Sequence, residues 1–124
     1  MSTIRVDNFG PSAGGTTYSA RGIAKAWVNF NGTGTIAARD SENVSSLTDN
    51  ATGDYTVNFS NAFGAADYAF ATGRGRTSAE FGTIVARTNV TAPATSSLRI
   101  GNSIENWTSA DEEYVNVIFH GDLA

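Results

Sequence analysis

The residues that could do chemistry are few and scattered along the chain. The only histidine, His120, stands beside Gly121 and Asp122, and an imidazole titrating near neutrality is a ready general base. No serine occupies the spacing of a nucleophile elbow, and there is no cysteine. A serine or thiol nucleophile therefore has no partner set, and thiolate metal sites and disulfides fall away as well. A glycan-cleaving domain would need two carboxylates held across a cleft. Asp111, Glu112 and Glu113 form one acidic run, and Glu80 with Asp111 is one conceivable pair. Acidic runs in polar loops are ordinarily solvated surface, and no spacing singles out a catalytic pair. The expectation is a protein that is not an enzyme, with no catalytic residues, no bound metal and no cofactor.

Three other groupings invite a binding role. DNATGD, residues 49–54, offers carboxylate and amide oxygens to a hard cation, but it lacks the alternating acidic set and closing glutamate of a calcium loop. It reads as a hairpin turn, with a weak divalent ion at its tip as the lesser alternative. GRGRT, residues 73–77, lacks the lysine and the spacing of a phosphate loop. Arg74 and Arg76 are then exposed loop residues, available to a partner or an anionic sugar. Trp107 sits in a polar loop, where an amphipathic ring either plugs the end of a core or anchors a partner. Six Asn-X-Ser/Thr triplets begin at Asn31, Asn43, Asn50, Asn58, Asn89 and Asn106. They read as turn and strand-surface residues, because MSTIRVDNFG lacks the basic and then apolar blocks of a secretion leader.

The elements that must carry these residues are strands. Of 124 residues, 51 are Gly, Ser, Thr or Asn, and only three are leucine against fifteen Val plus Ile, a balance that favours pleated over helical backbone. Just 32 residues have the bulk to fill a core, which suits a single domain. No apolar run approaches the roughly 20 residues of a spanning helix. A net charge of −4 with a pI near 4.7 is wrong for a protein that must neutralise nucleic acid phosphates.

Alternation places the strands. Ala24, Ala26, Val28 and Phe30 share one face, with Lys25, Trp27 and Asn29 on the other. Asn31-Gly32 then supplies a tight turn, so a partner strand is expected near Thr35 with Ile36 and Ala38 inward. Val44 to Thr48 leads through DNATGD to Tyr55, Val57 and Phe59. Tyr68, Phe70 and Thr72 alternate next, followed by a polar loop over 73–82. A strand over 83–88, a loop marked by Pro93, a short strand over 98–100 and a second long loop over 101–113 precede Val115, Val117 and Phe119. The fold class expected is all-β, an antiparallel β-sandwich of seven or eight short strands over residues 23–124. Residues 1–22 are expected to form an extended arm, with a short β-like run from Thr3 to Val6.

KAWVNFNGTGTIAARDSENVSSLTDNATGDYTVNF, residues 25–59, resembles a segment of small tail-fibre and other virion proteins of tailed bacteriophages, notably those of cyanobacteria and marine bacteria. STIRVDN, residues 2–8, and YVNVIFHGD, residues 114–122, resemble the two ends of such proteins. The resemblance covers about half the chain. It implies a virion structural protein of β-sandwich type, commonly a homotrimer, assembled in the host cytoplasm and not secreted, with no nucleic-acid partner and no membrane insertion. The expected arrangement is a head displayed for host adhesion, with an arm whose Ile4, Val6 and Phe9 dock onto another virion protein. The contact tips would be loops 73–82 and 101–113, with Arg74, Arg76 and Trp107 touching host surface glycan. A capsid decoration protein bound to the head lattice is the alternative.

Overall fold

A computed structural model describes residues 2–10, 12–75, 81–104 and 108–124. It is all-β and antiparallel, as the alternation predicts. β1 (Asn8–Phe9) and β2 (Tyr18–Ser19) form a small hairpin ahead of one 3-10 turn, Ala20–Gly22. The head consists of β3 (Ala26–Asn31), β4 (Ala37–Glu42), β5 (Val44–Ala51), β6 (Asp54–Phe59), β7 (Ala69–Gly75), β8 (Gly82–Ala86), β9 (Ser97–Ile104) and β10 (Tyr114–His120). These make two four-stranded sheets, ordered β4-β3-β10-β7 and β5-β6-β9-β8.

The core between the sheets comes from the inward positions of the alternating strands. Val28, Phe30, Tyr55, Val57, Leu98, Ile100, Val115, Val117 and Phe119 are all essentially inaccessible to solvent. At one end Phe59, Phe63, Tyr68 and Phe119 form an aromatic box, with Phe59 edge-on to Phe119 at 4.9 Å between centroids. Such edge contacts contribute about 0.5–1.5 kcal/mol beyond simple burial. At the other end Phe30 meets Tyr55 edge-on at 5.3 Å, and the packing there turns polar.

Several expectations need correction. Ala38 is exposed, because β4 is an edge strand whose register shifts opposite Asn29 and Phe30. Residues 73–75 belong to β7 and Gly82 to β8, so the loop expected over 73–82 is much shorter. Strand β9 runs eight residues and takes in 101–104, which the reading had given to a loop. The arm is not simply extended, since Asn8 and Phe9 fold back onto Ser19 and Tyr18, and Thr3 to Val6 contribute no strand. Glycines inside β7 and β9 caused the second and third errors, because glycine signals a turn far more often than a strand interior.

Candidate functional site

Arg74, Asp54, Asp111 and Glu112 all have structural partners that hold the sandwich together. Arg74 faces inward, because it lies directly opposite Val115 in the β7–β10 ladder. Its side chain is only 11% exposed and its Nε donates to Glu112 Oε2 at 2.6 Å, with Nη2 against the same oxygen. Glu112 is fully buried. The expectation of an exposed, partner-reading Arg74 is thus corrected: its guanidinium is engaged inside the fold. Arg76 and Trp107 lie outside the described residues, as does Glu80.

The backbone around Glu112 shows why the carboxylate is tolerated there. Tyr55 Oη lies 3.2 Å from Gly32 O and 3.1 Å from Asp111 Oδ1, and it accepts from Glu112 N at 3.2 Å. Asp111 Oδ1 also accepts from Gly53 N at 2.7 Å, and Gly32 N donates to Glu112 O at 2.8 Å. Burial, together with the nearby Asp111 carboxylate, pushes the Tyr55 hydroxyl well above the ordinary tyrosine range. It is a fixed hydrogen-bonding group rather than an acid or base. Both glycines are required here. A Cβ on Gly32 would run into Tyr55 Oη, and Gly53 has φ +63° with Ala110 O only 2.5 Å from where a Cβ would sit.

The DNATGD hairpin ends in a second strap. Asp54 is buried and its carboxylate receives Arg99 in a fork, Nε to Oδ1 and Nη2 to Oδ2, both at 2.8 Å. Arg87 Nη1 adds a bond to Oδ2 at 2.7 Å. The Arg99 hydrogen bonds, against an opposing effect of burial, hold Asp54 below the usual carboxylate range. Both oxygens are thereby occupied by guanidinium donors, and among the described residues no group of three His, Asp or Glu side chains is arranged to hold a metal ion.

His120 Nδ1 lies 3.1 Å from Gly22 O, so the imidazole links the last strand to the base of the arm. A cleft of about 580 Å³ opens beside it, lined by Gly64, Asp67, Tyr68, Ala69 and Asp122. The Tyr68 hydroxyl at its wall is occupied by Ala94 O and Ser97 O, each at 3.1 Å, and burial pushes it up to about 12.

Two outward-facing groups matter for binding. The arm exposes Ile4, Val6, Phe9 and Tyr18, with exposures of 86%, 55%, 46% and 60%. The outer face of the β4-β3-β10-β7 sheet carries rows fixed by register. Trp27, Ile118 and Ala71 lie side by side, next come Asn29, Asn116 and Gly73, and Tyr114 lies opposite Gly75. Sequence reasoning placed Trp27 and Asn29 on a non-core face but did not connect them to Asn116. The two asparagines are 87 positions apart, and only strand pairing brings them together.

These features define an antiparallel β-sandwich with ion-paired ends, a projecting hairpin and one mixed aromatic and amide face. No family model, curated protein or solved structure matches the chain.

Proposed function

We propose that this chain is a structural protein of a tailed-bacteriophage virion. In this reading it is a tail-fibre component whose sandwich head, as a homotrimer, adheres to the host surface and whose residues 1–22 dock it onto another virion protein. The observation that carries the reading is the arm. Four large apolar side chains stand on a segment that packs little on its own head, a costly arrangement in water unless a partner covers them. A two-residue strand pair is also too small to be stable alone, and it gains stability by pairing with or lying against a neighbour. The head supports the same reading, since its buried carboxylates are clamped by arginines and serve the fold. Adhesion by such a head works through copies at fixed spacing, which turn weak contacts into tight attachment.

The test is to tag the C-terminus, label intact particles and image them, with a chain lacking residues 1–22 in parallel. Label at the tail fibres, lost with the arm while the truncated head still folds, is the expected result. Label over the capsid would replace the fibre reading with capsid decoration, and absence from purified particles would end both.

A further inference from the structure

We propose that the outer face of the β4-β3-β10-β7 sheet is a glycan-binding site for neutral sugars, centred on Asn116 and flanked by Trp27 and Tyr114. The proposal rests on the adhesion reading only for its biological purpose. Its chemistry stands on the face itself.

The centre of the face is a polarised chain of donors. Arg39 Nη1 donates to Asn29 Oδ1 at 3.3 Å, and Asn29 Nδ2 donates to Asn116 Oδ1 at 2.5 Å. A guanidinium at the head of such a chain strengthens each following donor, because successive hydrogen bonds polarise one another. The chain ends on the Asn116 amide, on the outward face of β10 and directly opposite Gly73. Gly73 gives that amide room. A Cβ there would touch only Asn116 Cβ, at an ordinary 3.8 Å, and its φ is not in the left-handed region. Neither packing nor backbone conformation calls for glycine at this position, and its effect is a notch beside the amide.

Aromatic residues stand in the outward rows on either side of the notch. Trp27 lies one row away, beside Ile118, which is 44% exposed. Tyr114 lies one row away on the other side, and its ring is held by the Arg39 guanidinium carbon 4.1 Å from its centroid. Rows of outward residues are about 7 Å apart along a strand, so the backbone positions that carry Trp27 and Tyr114 stand two rows, about 14 Å, apart, the span of a short oligosaccharide. Sugars present apolar C–H faces to rings and hydroxyls to amides, and this alternation of ring, amide and ring matches both.

Charge selects among sugars. Asp40 and Glu42 stand beside Asn29 and Trp27 on the edge strand and outnumber Arg39, whose guanidinium is already engaged by Asn29 and the Tyr114 ring, and the chain carries a net charge of −4. Sialylated, sulfated or phosphorylated glycans are therefore disfavoured at this face, and neutral hexoses and N-acetylhexosamines are favoured. A second copy of the chain is a poorer fit, since it would bury the Asn116 amide and the acidic edge without supplying their partners.

The experiment applies the purified full chain to an array of neutral and acidic oligosaccharides, then titrates the strongest neutral hit calorimetrically. Retention of neutral but not acidic glycans is expected. Gly73→Leu, which fills the notch, and Asn116→Ala, which removes the donor, should each weaken binding about tenfold, the effect of one well-placed hydrogen bond, in proteins that still unfold cooperatively. If one variant unfolds, the other still decides. Failure to retain any neutral glycan, or undiminished binding by folded variants, overturns the proposal. So does self-association in the ultracentrifuge that Gly73→Leu abolishes, which would assign the face to a second copy. Labelling of particles is independent of these results, so a protein found at the fibre that binds no sugar fails here alone.

Discussion

Asp54 is the residue in which sequence and structure tell the most different stories. In the sequence it is the last residue of a turn. In the structure its carboxylate is buried and holds two arginines, from β9 and from the segment just after β8. Its pKa is lowered by folding, so its ionised form binds protons less readily in the native state than in the unfolded chain. That stabilisation is complete above the unfolded value of about 3.9 and is lost as pH falls through the lower folded value. Asp54→Asn should cost about 2–3 kcal/mol at pH 7, since it leaves two partly buried guanidiniums facing a neutral amide. Urea unfolding of both proteins at pH 7 and at pH 3 should show the gap narrowing on acidification, and a gap that stays constant would remove Asp54 from the account.

At the scale of elements, alternation made β3, β6 and β10 legible almost residue by residue, because every second position in each is an apolar residue buried in the core. Edge strands were harder. β4 is exposed along nearly its whole length, so it has no burial pattern to read, and the glycines of β7 and β9 disguise strand as loop. Arg74 was misjudged for the same reason: an arginine between two glycines looks like a loop tip until the ladder with β10 turns it inward. Arg74→Ala is therefore predicted to act on stability before binding. It takes a guanidinium partner from the buried Glu112 carboxylate, at a cost of about 3–5 kcal/mol, whereas Arg74→Met combined with Glu112→Leu should recover most of the loss. Denaturant midpoints for the two variants are the check, and a single variant as stable as the parent would contradict the strap. The amide row of Asn29 and Asn116 was illegible in principle, since no local pattern encodes which strands become neighbours.

The whole molecule divides its surfaces by task. One end is an aromatic box, the other a web of hydrogen bonds around Tyr55, the arm is apolar, and one sheet face mixes rings with amides. The chain has one Asn-Gly pair, Asn31-Gly32, the sequence most prone to chemical ageing. Deamidation begins when the backbone nitrogen after an asparagine attacks the side-chain carbonyl, and glycine offers that nitrogen the least hindrance. Here the nitrogen of Gly32 is bonded to Glu112 O at 2.8 Å. The Asn31 amide is held as well, its Oδ1 accepting from Thr33 N at 3.1 Å and Thr33 Oγ1 at 2.7 Å. The turn that joins β3 to β4 thus engages both nucleophile and carbonyl with other partners, and the fold acts as a preservative for its own most labile sequence. Peptide mass mapping after prolonged warm incubation should find Asn31 intact in the folded protein and converted in urea, and equal conversion in both would show that the turn gives no such protection.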